Sequence, residues 1–399
     1  MSEWKKVKLG EISQTIQTGP FGSQLHQSDY SVIGIPVVMP KDIIAGNIEE
    51  ASIARVEQHH IDRLSRHMIS YGDILYARRG DVGKCAFTKQ NQEGWLCGTG
   101  CLRVTINPDM ANPKFVFFQL QKQETIGWIT NHAIGSTMLN LNKTILSNAP
   151  VEIPSLRIQN RIVEILSRYD SLIENYQKQI KLLEEAAQRL YKEWFVDLRF
   201  PGHENTKIVD GVPEGWERKS IGDIGEYLNG FAFKPSDWQE LGKPIIKIKE
   251  MGNGVTNETP RNSGERVPEK YLIKAGDLLF SWSATLMVII WSGEEGWLNQ
   301  HLFKVTPVKG IDREFLLQSI SNTIVEFQNL TTGSTMKHIQ RNKLNQVFIN
   351  VPNAEIMKRY ADISEKTRSN ILSLQSQLRL LTEARDRLLP KLMSGEITV

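Results

Sequence analysis

Seven residues, Arg78-Arg79-Gly80-Asp81-Val82-Gly83-Lys84, form the densest basic loop in the first half of the chain. Guanidinium groups present forked donors that suit phosphate oxygens and guanine edges. The glycines let backbone approach a phosphate closely. The same letters also fit a solvated hairpin tip. The tetrapeptide Gly-Ser-Thr-Met occurs twice, at Gly135–Met138 and Gly333–Met336. Its hydroxyls (Ser136, Thr137, Ser334, Thr335) and free N–H groups can clamp a phosphate or cap a helix. Downstream lie Asn140, Asn142 and Lys143 in one half, and Lys337, Arg341 and Lys343 in the other. Ser23 and Gln24 follow Phe21, and Lys234 follows Phe231, where the variable segments begin. The counterpart of the arginine loop reads Ser281-Trp282-Ser283-Ala284-Thr285. Ser281, Ser283 and Thr285 are its polar candidates, and it has no arginine. If these loops read bases, the two halves read different sequences and the whole target is not a palindrome.

The chain lacks the apparatus of a catalyst. It contains no Pro-Pro dipeptide for a loop that grips a flipped base. Gly83-Lys84 is followed by Cys85, and position 78 is arginine, so there is no P-loop. Gly98-Thr99-Gly100 leads into the strand-like CLRVTI and reads as a turn, not a cofactor fingerprint. No catalytic, cofactor or metal residue is expected. The three cysteines, Cys85, Cys97 and Cys101, are odd in number and confined to one half, which points to a reducing compartment. His59 and His60 read as surface residues, and Trp95 and Trp297 as core. Net charge is +3, with 23% charged and 40% hydrophobic residues, ordinary for a soluble protein and compatible with a nucleic acid. The segment MSEWKKVKLGEI has no apolar signal core, and no apolar run approaches a membrane span of about 20 residues. A cytoplasmic protein without a membrane anchor is expected.

The elements that must position these residues are duplicated. Around Gly135 the chain reads GSTMLNLNKTILSNAPVEIP, and around Gly333 it reads GSTMKHIQRNKLNQVFINVP, an offset of 198 (333 − 135). Such a spacing is too long for a solenoid unit. It implies a whole domain plus a connector, repeated head to tail. Trp4-x5-Gly10 matches Trp216-x5-Gly222, Gly72-Asp73 matches Gly276-Asp277, and Gly94-Trp95-Leu96 aligns by letter with Gly296-Trp297-Leu298. A Gly-Asp turn before an alternating apolar run predicts strands in YGDILYARRG and KAGDLLFSWS, and CLRVTI and LFKVTP read as further strands. Helices are predicted near Pro113–Ile126 and Arg313–Phe327.

Beyond each head the pattern becomes a heptad seam. Ile162, Leu166, Tyr169, Ile173, Tyr176, Ile180, Leu183, Ala187, Leu190 and Trp194 step alternately by four and three. The second copy carries Ile371, Leu374, Leu378, Leu381, Leu388 and Leu392, with Arg385 where the first has Ala187. The expected fold is α+β: two pseudo-two-fold-related α/β domains, at 1–154 and 201–352, separated by an antiparallel coiled-coil pair of long helices at 155–200 and 353–399. A near-two-fold chain suits a near-two-fold partner, and duplex DNA is the obvious one.

With its heads, turns and helices in this order, the chain resembles the specificity subunits of type I restriction–modification systems. The resemblance spans nearly the whole chain and rests on TGPFGSQLHQSDY, YGDILYARRGDVG, GSTMLNLN with IPSLRIQNRI, SWSAT, WLNQHLFKV, and GSTMKHIQRNKL with VPNAEI. It implies that the heads are target recognition domains and the helices a conserved spacer. It implies two docked methyltransferase subunits and motor–nuclease restriction subunits, with methyl transfer to adenine N6. S-adenosylmethionine would sit on the methyltransferase, and ATP and Mg on the restriction partner. The alternative is a stand-alone DNA-modifying enzyme, which the missing motifs disfavour. The chain departs from the family at the Glu-Gln pair that opens the helix: Gln159 follows Ile158, and the second copy has Glu355-Ile356.

Overall fold

The computed structural model describes residues 4–135, 139–330 and 341–399, with the backbone alone of Arg341. The chain divides into two compact units, Met1–Ser171 with Thr382–Val399, and Leu172–Leu381.

The predicted duplication is carried by the strands. In the first unit an antiparallel sheet orders Ser13–Thr18, Cys101–Ile106, Ile74–Ala77 and Cys85–Phe87. In the second the same order is Gly225–Asn229, Leu302–Pro307, Leu278–Ser281 and Met287–Ile290. Both predicted strand pairs are present. Cys101–Ile106 alternates between core and half-exposed positions, as a pleated strand with one packed face must. The Gly-Asp turns use a left-handed glycine, Gly72 at φ 87° and Gly276 at φ 94°. Each aspartate then seals its turn: Asp73 accepts the Ser70 N–H and Asp277 the Lys274 N–H, both at 2.8 Å.

A second small sheet in each unit corrects the letter-by-letter alignment. Leu96 and Cys97 lie parallel to Val37 and Val38, whereas Trp297 and Leu298 lie parallel to Ile245 and Ile246. Gly98 N–H donates to Val38 O and Asn299 N–H to Ile246 O. The structural offset here is therefore 201 (299 − 98), and the partner of Trp297 is Leu96, not Trp95. Trp297 is core, as expected, and Trp95 is half-buried against the core; a one-residue slip turns them to opposite faces of the strand. Trp95 packs with Val38 and Ile43, and Trp297 donates its indole N–H to Asn262 O at 3.0 Å.

The predicted head helices appear as two pairs: Pro113–Leu120 with Gln123–His132, and Arg313–Asn322 with Ile324–Asn329. Asn112 and Asp312 cap the first of each pair, accepting N–H groups two and three residues on. The long helices are Leu156–Tyr191, of 36 residues, and Ala354–Met393, of 40. The first is roughly 54 Å long and closes with a wide π turn at Lys192–Val196.

In the first unit Ile162 and Leu166 share a core with Leu392 and Met393, and Asp170 meets Arg385 at 3.5 Å. Rising numbers on one helix meet falling numbers on the other, so the helices run antiparallel. The second unit holds the reverse, with Tyr191, Trp194 and Phe195 packed among Ile356, Met357 and Tyr360. Along the first seam Ile162, Leu166, Ile173, Ile180, Ala187 and Trp194 are buried, and Tyr169, Tyr176, Leu183 and Leu190 half-buried. Leu392 is buried on the second, and Ile371, Leu374, Leu378, Leu381 and Leu388 are half-buried. Gln159 is fully buried: it accepts the Asn112 N–H at 2.9 Å and donates to Pro154 O at 2.8 Å. It fastens helix to head within the chain.

Candidate nucleic-acid interface

In the first unit the hairpin Ile74–Ala77 and Cys85–Phe87 carries the basic loop at its tip, with Ala77 N–H donating to Lys84 O at 3.0 Å. A Cβ on Gly83 would lie 2.8 Å from Ile126 Cγ2, so the back of the loop rests on the helix Gln123–His132. Arg78 is held on both sides. Its N–H donates to Gly100 O at 2.7 Å, and its carbonyl accepts the Leu141 N–H at 2.8 Å. Arg79 pairs with Asn140 as an isolated antiparallel bridge. The arginine loop and the segment after the Gly-Ser-Thr-Met turn, nominated separately in the sequence, therefore form one surface.

The third nominated segment starts at the same place. A Cβ on Gly19 would lie 1.9 Å from Gly98 O, and one on Gly230 2.2 Å from Asn299 O. Only glycine allows that close passage. It brings the chain into Phe21–Gln24 in one unit and Phe231–Lys234 in the other, beside the turns 98–100 and 299–301.

The individual side chains divide by role. Arg79, Lys84, Lys143, Ser23, Lys234 and Thr285 are exposed, and Arg78 is half-buried. Lys84 Nζ meets Asp81 Oδ2 at 2.6 Å, but both are largely exposed and water screens the pair. Asn142 spends its Oδ1 on the Ile145 N–H at 2.8 Å, capping the helix Lys143–Ser147. Gln24 accepts the Phe21 N–H at 3.1 Å and holds its own turn. Lys343 donates to Gln346 Oε1 at 3.1 Å. Ser281 and Ser283 are buried, contrary to their nomination as contact residues. The Ser281 hydroxyl donates to Thr285 O at 2.5 Å and to Ser283 O at 3.2 Å, shaping a loop in which Ala284 takes φ 56°. Ser136, Thr137, Ser334, Thr335 and Lys337 lie outside the described residues, as does the Arg341 side chain.

Thr99 in the first unit, and Trp282 and His301 in the second, lie in the equivalent loops, although their letters alone do not mark them as contact residues. The signal was there in the turns Gly98-Thr99-Gly100 and Asn299-Gln300-His301, but it needed the strand register to align them. The cysteines take no part. All three are buried, and burial pushes the Cys85 and Cys97 thiols up to about 12. Among the described residues no cluster of His, Cys, Asp and Glu is arranged to hold a metal, and no helix is long and apolar enough to cross a membrane.

Each unit thus presents donors, acceptors and cations at the end of a rigid sheet, which suits recognition of a polyanion and its base edges. Comparison with known proteins agrees. The family model for the type I restriction modification DNA specificity domain matches residues 1–185 and 213–379. The MjaIX specificity subunit of Methanocaldococcus jannaschii is 25% identical over 420 residues, covering 100% of this chain and 94% of that protein. The HindI specificity subunit of Haemophilus influenzae is 25% identical over 473 residues, covering 100% of both. The crystal structure of a type I system S subunit from M. genitalium shares the fold at a TM-score of 0.60 and 15% identity, over 98% of this chain and 96% of that one. The resemblance drawn from the motifs holds, and the chain belongs to the type I restriction modification DNA specificity domain family, carrying that domain twice.

Proposed function

We propose that this chain is the DNA specificity subunit of a type I restriction–modification complex. It reads a split, asymmetric duplex target with one head per half-site. It presents that target to two adenine-N6 methyltransferase subunits and to motor–nuclease restriction subunits. S-adenosylmethionine belongs to the methyltransferase, and ATP and Mg to the restriction subunits. The observation that carries this reading is that, among the described residues, the loop after one sheet strand, the turn before its neighbour and the segment entered through a glycine come together in both units on the same strand topology, with different side chains each time. The long helices serve as the ruler between half-sites.

Co-purification with the cognate methyltransferase, followed by sequencing of methylated adenines, tests the reading. Two unlike half-sites at a fixed gap are expected. A single continuous motif, or two identical half-sites, would overturn it. The chain alone should transfer no methyl group from S-adenosylmethionine, and turnover by the chain alone would favour a self-contained enzyme. Seven residues inserted near Ala186 should change the preferred gap or abolish methylation, and an unaltered gap would remove the ruler.

A further inference from the structure

The strand registers identify one position that the two heads share and fill differently. Ala77 lies opposite Cys101, and Ser281 opposite Leu302. The residue after each strand is therefore equivalent, Arg78 in one head and Trp282 in the other. The residue before each partner strand is equivalent too, Gly100 in one and His301 in the other. Gly100 has no side chain, and Pro40 fills the place its Cβ would take, 2.6 Å away, where the second head holds an imidazole. The Trp282 and His301 rings lie 5.7 Å apart, and Trp282 lies 6.0 Å from Phe303.

Buried polar side-chain atoms in folded proteins nearly always find a partner. Among the described residues of the first unit, the atoms without one are Arg78 Nε, Thr99 Oγ1, Asn140 Oδ1 and Arg103 Nε. The last faces the Asp73 carboxylate at 3.7 Å. The other three come from the separate segments that converge on the turn at Gly100. In the second unit His301 Nδ1, on the equivalent turn, is likewise buried and without a hydrogen-bond partner. In the first head, unsatisfied groups gathered at one place, beside a backbone clamped from both sides, are what a preformed reader of base edges requires. A phosphate contact needs only donors open to solvent.

We propose that Arg78 and Trp282 occupy the same base-reading position of the two heads. This rests on reading the units as DNA-recognising heads. Arg78 takes a G·C pair in the major groove, its guanidinium donating to guanine N7 and O6, while Asn140 Oδ1 faces the amino group of the paired cytosine. Trp282, backed by His301, takes a T·A pair through the thymine methyl. Arg79 and Lys84, both exposed, hold phosphates and carry no sequence information.

The test uses the subunit assembled with its methyltransferase, S-adenosylmethionine, and duplexes randomised across both half-sites, with methylated molecules sequenced. The unmodified complex must first yield a bipartite motif, and its absence would refute the head reading itself. Given that motif, Arg78→Ala should relax one guanine of the first half-site roughly ten- to a hundredfold, leaving the second half-site as it was. The intact second half-site also reports that the variant is folded. An even loss across all sequences with an unchanged motif would make Arg78 a phosphate contact and overturn the proposal. If Arg78→Ala abolishes methylation entirely, the double variant Trp282→Arg with His301→Gly decides. A guanine gained in the second half-site sustains the assignment, and an unchanged second half-site defeats it.

Discussion

The two junctions between head and helix place opposite charges at equivalent positions. In the first unit Lys114 Nζ lies 3.0 Å from Asp170 Oδ2, and Arg385 reaches the other oxygen at 3.5 Å. In the second, the residue equivalent to Lys114 is Glu314, two beyond the capping Asp312. The residue equivalent to Asp170 is Arg368, 198 positions on (368 − 170). Arg368 lies 3.9 Å from Asp312, which also accepts the Ser364 hydroxyl at 3.1 Å. Backbone and apolar core were kept through the duplication, while each head was keyed to its own helix by sign. Arg385, which looked like an interruption of the heptad, sits where Asp170 needs a cation. Its counterpart Ala187 carries no charge, and Arg368 has the carboxylates of Asp312 and Glu365 within 3.9 Å.

The strongest way to break this comparison is Arg368→Glu. That change gathers a third carboxylate beside Asp312 and Glu314 in a nearly buried site. A loss of about 3 kcal/mol in chemical denaturation is expected, and a loss below about 1 kcal/mol would mean that the pairing is incidental. Asp170→Arg should cost less, about 2 kcal/mol, because roughly a quarter of each side chain there meets solvent. Adding Lys114→Glu and Arg385→Glu to that variant should recover most of it. No recovery would show that packing, not charge, matters at this point.

The smallest effect concerns pH. Burial raises the carboxyl of Glu314, while Gln318, donating to it at 2.8 Å, and Arg368 oppose the rise. The folded state then binds that proton more tightly than the unfolded one. Charged Glu314 therefore costs stability, and the cost develops as pH rises from the ordinary value of 4.5 through the raised one. Glu314→Gln should gain about 0.5 kcal/mol at pH 7 and nothing below pH 4. Lower stability of the variant at pH 7 would mean that the attraction of Arg368 outweighs burial.

Local periodicity made much of this fold legible. The alternation in CLRVTI and LFKVTP, the Gly-Asp turns and the four-three seam all report contacts within a few residues or one face. What the letters concealed depends on register and on partners distant in sequence. Gly-Trp-Leu occurs in both halves, yet hydrogen bonds to Val38 and Ile246 show the copies to be slipped by one. Ser281 looked like a contact residue because serine suits phosphate, but its hydroxyl is spent on the turn it belongs to. The meeting of Arg79 with Asn140 joins residues about sixty apart, and no pattern near either announces it. Equivalence of Arg78 and Trp282 emerges only once the strands are paired.

The inverted junctions also constrain how chimaeras of this chain can be built. Grafting the second head onto the first helix with a seam at the shared proline, Pro154 or Pro352, would set Glu314 against Asp170. The reverse graft would set Lys114 against Arg368. A workable splice point lies further along, beyond Asp170 and Arg368, so that each transplanted head travels with the first four turns of its own helix.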